Sequence, residues 1–251
     1  MEILIYTYII FLGLIFGSFF NVLRIRIPRK ETILGRSHCT KCDRQLNGFE
    51  LIPVFGYLFL KGKCSNCKSR ISPIYPIIEL ITAILFVFSF VILRENMVEY
   101  ILMVLFISFM MIITVSDIHY KLVPFNILLV FLPFIFVLRI LSPIDAWYDG
   151  ILGALFGFIF LFALAFYGKK RFGKDALGGG DIKLYIIVGL VLGYQLVFLS
   201  LFFASFIALI YTFIFKNKND YIPFVPFIFA GSLITYFYGN AIIELYVGFL
   251  F

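Results

Sequence analysis

The stretch ILIYTYIIFLGLIFGSFFNVL, Ile3 to Leu23, carries no charge over a length that crosses the hydrocarbon core of a bilayer as a helix. Glu2 stands where a cleaved leader would have basic residues, no small-residue cleavage site follows, and the arginines come after the run, so it reads as a retained first span. Outward from it, apolar runs of similar length recur along all 251 residues, of which 63% are hydrophobic and 14% charged. A soluble domain cannot hide that much apolar surface at a mean hydropathy of +1.06. The ten-residue alternation of an outer-membrane barrel is missing, so the fold class is an all-α polytopic membrane protein.

About eight transmembrane helices are expected, near residues 3–22, 74–93, 99–116, 125–141, 150–167, 184–194, 196–215 and 222–240. The sixth and seventh meet at Gly193, Tyr194 and Gln195, and the tail after Gly239 either extends the last helix or lies at the interface. Polar segments separate the spans: Arg24 to Pro73, Asp117 to Pro124, Gly168 to Lys183 and Lys216 to Tyr221. The first carries eleven Lys/Arg against three Asp/Glu and the third five against two, whereas Arg94 to Glu99 and Ser142 to Asp149 hold one Lys/Arg between them. By the positive-inside rule the long loop is cytoplasmic and the N-terminus outside. The net charge of +7 is therefore a topology signal and an attraction to anionic membrane lipid. No basic and aromatic stripe on a recognisable module accompanies it, so no nucleic-acid partner is expected.

This topology brings two carboxylates to one membrane boundary, Asp117 in SDIHYKLVP and Asp181 in LGGGDIKLY. Taken singly, Asp181 reads as a helix N-cap and Asp117 as a solvated helix end. Taken together they read as a dyad in which two close carboxyl groups share a proton, one activating water while the other polarises a carbonyl and protonates the leaving amine. The chain has two His and no G-x-S-x-G, H-E-x-x-H or P-loop pattern to support another chemistry. Gly178, Gly179 and Gly180 then have a use, since backbone without Cβ atoms permits close approach of an extended substrate and allows φ above zero.

All four cysteines fall in two C-x-x-C pairs, Cys39 with Cys42 and Cys64 with Cys67, 21 residues apart. Such spacing closes a tetrahedral shell around zinc, in the manner of a zinc ribbon. Two disulfides or a redox dithiol are the competing readings, and a cytoplasmic loop disfavours disulfides. A closed shell of four thiolates leaves no position for substrate, so the metal's role is to fold a loop with little core of its own. Glu79 lies roughly 9 Å into the second span. It is either an interfacial carboxylate paired with a loop Lys or Arg, or a functional group.

Gly178-Gly179-Gly180-Asp181 fits the G-x-G-D signature of intramembrane aspartyl proteases, and the chain resembles the type IV prepilin peptidase family in particular. The resemblance runs almost end to end, through GSFFNVLRIRIPR (Gly17 to Arg29), LIPVFGYLFLKGKCSNCKSRISPIYPIIELITA (Leu51 to Ala83) and IPFVPFIFAGSLI (Ile222 to Ile234). Ser116 rather than Tyr precedes Asp117, which favours the prepilin branch over the presenilin branch. Two departures stand out: Phe125 and Asn126 follow Val123-Pro124 where the family commonly has an acidic residue, and Thr40 replaces a frequent proline between the first two cysteines.

The resemblance implies that Asp117 and Asp181 are the catalytic pair of a bacterial inner-membrane enzyme that removes the short basic leader of type IV prepilins or pseudopilins. Cleavage is then expected on the cytoplasmic side, after a Gly and often before a Phe. It further implies N-methylation of the new N-terminus from S-adenosylmethionine, with Glu79 in that step. The implied organisation is residues 1–22 as first transmembrane helix, 23–73 as cytoplasmic loop with the four-cysteine metal site and a methyltransferase region, and 74–251 as peptidase core. A peptidase without methyl transfer, a transporter using paired acids as proton relays, and a receptor or scaffold built on the zinc ribbon are the alternatives. The last two predict that removing one aspartate leaves prepilin processing intact. The particular pilin and the oligomeric state are not written in the sequence.

Overall fold

The computed structural model describes residues 2–29, 31–32, 35–143, 146–173, 178–215 and 222–250. Asp175 to Leu177, at the start of the glycine stretch, and the Lys216 to Tyr221 segment lie outside the described residues. The described chain is helical, with two isolated antiparallel bridges in place of a sheet, His38 with Gln45 and Lys63 with Arg70. Its helices are α1 (Glu2–Arg29), α2 (Phe55–Phe59), α3 (Ile74–Leu93), α4 (Met97–Tyr120), α5 (Phe125–Leu141), α6 (Trp147–Phe172), α7 (Gly179–Phe215) and α8 (Val225–Leu250). Among the described residues, six helices are long and apolar enough to cross a membrane, and α5 is a shorter apolar helix. Two compact units divide the chain, Met1–Val115 and Ser116–Phe251.

In the first unit α1 lies against α3 because Gly13 and Gly17, one turn apart, remove the side chains that would hold the backbones apart. A Cβ on Gly17 would sit 2.6 Å from the Cα of Glu79, and one on Gly13 would meet the Cα of Ala83. Phe16 and Phe86 fill the seam above, and Phe90 meets both Tyr6 and Tyr100 edge-on. Helix α1 runs past the expected end at residue 22 to Arg29. Its arginines are accommodated there: buried Arg24 lies 4.9 Å over the Tyr75 ring, and Arg26 donates to the Thr32 and Arg36 carbonyls. The middle of helix α4 is deeply buried, with Leu102, Met103, Phe106, Ile107, Phe109 and Met110 inaccessible to solvent.

In the second unit α7 is the central element, with α6 and α8 along it. Gly153 and Gly189 touch backbone to backbone, and Gly231 lies on Ala204 and Ser200, so neither contact has room for a Cβ. The expected junction of spans six and seven is present as a break inside α7, where Gly193 adopts φ 78 and ψ 175. The Asp149 carboxylate occupies the place a side chain on Gly193 would take, and Arg139 pairs with Asp149 at 3.5 Å. That ion pair covers the backbone groups a helix break exposes, an expensive exposure in an apolar medium. Helix α8 continues through the tail to Leu250, which settles that ending as helical extension.

Candidate active site

Asp117 sits in the last turn of α4. The helix ends because Lys121 turns into the left-handed region at φ 53, its amide closing on the Asp117 carbonyl at 2.9 Å. The Ser116 hydroxyl donates to the Leu122 carbonyl at 3.0 Å and pins the following turn. Val123 precedes Pro124 and is therefore steered away from helix, and α5 starts at Phe125. The Asp117 carboxylate does not face open solvent: it is 4% exposed, and its Oδ2 accepts from the Val225 amide at 3.3 Å. Val225 is the first residue of α8, where amides lack intrahelical partners and favour a negative charge.

Asp181 lies in the first turn of α7 and is 8% exposed. Its amide donates to the Gly178 carbonyl at 3.1 Å. The three preceding glycines have different environments. A Cβ on Gly178 would stand 3.0 Å from Asp181 Oδ2, so its absence leaves room for the carboxylate. A Cβ on Gly180 would collide with Val123 at 2.8 Å, so that glycine lets α7 close on the turn after Asp117. Gly179 faces open space. The described glycines with positive φ are Gly62, Gly173 and Gly193, so the triplet is used for its lack of bulk and not for left-handed backbone. Lys183 reaches back over the Phe125 ring at 4.9 Å and ties the start of α7 to the start of α5. These contacts bring the first turn of α7, with Asp181, against the turn that follows Asp117, and both carboxylates are nearly sealed from water. A like-charged carboxylate pair in such surroundings disfavours double ionisation, the condition for one acid and one base in the same site.

In the first unit the four cysteine sulfurs all lie within 4.8 Å of one another, and Cys39 is 3.8 Å from Cys67. All four are free thiols in this arrangement, with no disulfide joining any two of them. A tetrahedral ion with bonds of about 2.3 Å to sulfur needs edges of about 3.8 Å, so this cluster fits a metal ion. The two knuckles repeat one design. Asp43 and Lys68 each take positive φ, at 53 and 56, and donate to the carbonyls of Cys39 and Cys64. The Lys41 and Cys42 amides pointing at Cys39 lower its thiol to about 6, so it is a ready thiolate at neutral pH.

The residue that joins the knuckles is Glu50, which has no part in the sequence-based site. It accepts from Arg44 at 2.6 Å, from the Ser65 hydroxyl at 2.6 Å and from the Asn47 amide at 2.8 Å. Ser65, with the Asn47 amide and Arg44, holds the Glu50 carboxyl below the usual carboxylate range. The pattern Asn47-x-x-Glu50 is a helix-start signal that could have revealed it.

Glu79 is buried in the wall of α3, and its Oε2 accepts from the Val54 amide at 2.7 Å. The partner is thus a backbone amide, and among the described residues no loop Lys or Arg pairs with Glu79. Val54 takes φ 62 and ψ −52, a strained conformation for a β-branched residue, and the Glu79 bond is one of the contacts that hold it there. Beside Glu79, buried Asn21 donates to the Gly17 and Tyr75 carbonyls at 3.2 and 3.1 Å. Its own Oδ1 is buried and has no hydrogen-bond partner among the described residues. Asn21 was not a candidate from sequence, because an Asn at the end of an apolar run carries no distinguishing pattern.

Comparison with known proteins finds family matches over most of the chain. Residues 11–93 match the bacterial peptidase A24 N-terminal domain, and residues 104–213 match the type IV leader peptidase family. A Bacillus subtilis (strain 168) protein named prepilin leader peptidase/N-methyltransferase is 42% identical over 94% of this chain and 95% of its own length. Proteins of the same name are 30% identical in Vibrio cholerae serotype O1, over 92% of this chain and 97% of theirs, and 29% identical in Pseudomonas putida, over 92% and 90%. No solved structure matches the chain. With both domains matched in order and the likeness extending over nearly the full length of these relatives, the chain belongs to the type IV leader peptidase family.

Proposed function

We propose that this protein is a multi-pass inner-membrane aspartyl endopeptidase that removes the leader of type IV prepilins or pseudopilins and then N-methylates the new N-terminus. The observation that carries the peptidase reading is the pair of buried carboxylates, Asp117 and Asp181, at helix ends whose adjoining turns pack together in one compact unit. The ionised member takes a proton from water, whose oxygen attacks the carbonyl of the leader's last residue while the protonated member donates to the carbonyl oxygen. Collapse of the tetrahedral adduct breaks the C–N bond, and a proton passes from the dyad to the departing amine. The substrate backbone lies along Gly178 to Gly180, where Gly179 leaves the approach open. The basic charge of the loops supports a cytoplasmic position for this chemistry, with the N-terminus outside.

The division of labour follows the expected organisation: residues 1–22 as first span, 23–73 as the loop with the metal site and methyl-transfer region, 74–251 as peptidase core. Cys39, Cys42, Cys64 and Cys67 hold zinc in a structural role, supported by their spacing and by the closeness of the four sulfurs. S-adenosylmethionine, when bound, would supply an electrophilic methyl group: the C–N bond to the freed amine would form as the S–CH3 bond breaks, with S-adenosylhomocysteine leaving and the amine losing a proton. The buried Glu79 carboxylate and the unpartnered Asn21 Oδ1 are acceptor atoms that suit such a cationic donor.

The test is reconstitution of the full chain with a prepilin and S-adenosylmethionine, followed by mass spectrometry of the product N-terminus. A shortened product carrying one added methyl is expected. A shortened, unmethylated product would leave a peptidase alone, and an uncut substrate would refute the whole reading.

A further inference from the structure

The segment Gly48–Leu51, a 3-10 turn, and α2 form a short hairpin closed where Gly56 lies against the Glu50 carbonyl. The hairpin turns large apolar side chains outward: Phe49 is 82% exposed and Phe59 78%, with Leu51, Ile52, Phe55 and Leu58 also exposed. An apolar patch of this size outside the spans marks a binding surface. Its height is fixed by the bond from the Val54 amide to Glu79, since Glu79 belongs to α3, a membrane-crossing helix. A glutamate on a helix leans toward the N-terminal end, so the bond holds the hairpin level with the first turns of α3, where headgroups meet acyl chains.

Beside the patch is a cleft of about 480 Å³ whose lining includes Tyr57, Lys61, Lys63, Arg70, Ser72 and Pro73. Lys63 and Arg70 stand directly opposite each other across an antiparallel bridge, which the Ile71 amide reinforces by donating to the Gly62 carbonyl at 2.8 Å. Like charges so opposed are unfavourable unless an anion lies between them. Among the described residues, none of the three cations is paired with a carboxylate. Ser72 and Pro73 lead straight into α3, so the cleft opens at headgroup depth.

We propose that this cleft binds the phosphate of an anionic phospholipid, with Lys63 and Arg70 on its oxygens, while Phe55, Leu58 and Phe59 insert among the acyl chains beside it. The pairing of a basic cleft with an adjacent apolar patch matches the two ends of one lipid. A basic leader peptide is repelled by the same cations, which sets this site apart from the substrate path.

Native mass spectrometry of the full chain in detergent, titrated with phosphatidylglycerol, phosphatidylcholine or inorganic phosphate, tests the cleft. Phosphatidylglycerol is expected to bind in preference to phosphatidylcholine, and Lys63→Gln/Arg70→Gln is expected to weaken it roughly tenfold or more. The Lys170→Gln/Arg171→Gln control, equal in charge loss and placed at the end of α6, should leave the preference intact. For the patch, Phe59→Trp in a Trp147→Phe background reports depth in vesicles through quenching by brominated lipid. Equal binding of both lipids, an unchanged affinity in the Lys63/Arg70 variant, or an unquenched water-exposed tryptophan would overturn the proposal. Phosphate binding without lipid preference would make the cleft a free-anion site and would also overturn it.

Discussion

The carboxylate of Asp117 accepts the amide of Val225, a residue 108 positions away, at 3.3 Å, so one catalytic candidate is anchored by the first turn of α8. The bond uses one carboxylate oxygen and leaves the second for chemistry. It also gives the Ile222 to Ile234 motif a physical purpose, because α8 must start at this point for its free amide to meet α4.

The glycine triplet makes separable predictions. Gly180→Ala forces its Cβ onto Val123 and is expected to cost about 1–3 kcal/mol, measured by thermal unfolding in detergent and recovered in part by Val123→Ala. Gly179→Ala meets nothing and should leave unfolding unchanged while cleavage of a prepilin falls about tenfold, as expected of a residue that the substrate backbone crosses. Unaltered cleavage by Gly179→Ala would remove that glycine from the substrate path.

Glu79→Gln keeps an acceptor for the Val54 amide and removes the charge. The expected product is a correctly cut pilin lacking the added methyl, read by mass spectrometry, with cleavage rate within about twofold of the parent protein. Normal methylation would return Glu79 to the role of a structural partner of Val54.

Metal analysis of the purified chain is expected to find about one equivalent of zinc, since one tetrahedral shell uses all four thiolates. Removing it with a chelator, or replacing Cys39 with Ser, should make the loop between α1 and α3 sensitive to protease while the spans stay protected. A metal-free loop of unchanged protease resistance would contradict the structural role.

Glu50 gives a pH-dependent test. Its folded-state pKa lies below the ordinary value, so its contribution is present above the ordinary carboxylate range and is lost as pH falls through the depressed value. Protease sensitivity of the loop at neutral pH should therefore rise in Glu50→Gln. On acidification that variant should gain less additional sensitivity than the parent chain.

Much of the architecture was legible because its signals are local. An apolar run long enough to cross a bilayer announces a helix wherever it occurs, and C-x-x-C spacing states its own geometry. The break at Gly193 was visible as a boundary, but its partner Asp149 was not, because the contact joins α6 to α7 across intervening chain. The extension of α1 to Arg29 was missed for a similar reason: Arg24 and Arg26 look like the end of a span until Tyr75 and the Thr32 and Arg36 carbonyls are seen to satisfy them. The bond from Val54 to Glu79 had no sequence signal, since any residue offers an amide and only tertiary structure decides which carboxylate it meets.

The most direct measurement is prepilin cleavage by the purified chain beside its Asp117→Asn and Asp181→Asn variants, each first shown to be folded. Asparagine keeps the shape of the side chain and an oxygen for the Val225 amide, so folding should persist while cleavage falls by at least about 10²-fold to 10⁴-fold in both. A folded variant of either kind that cuts at the parent rate would show that the two aspartates are not the catalytic pair.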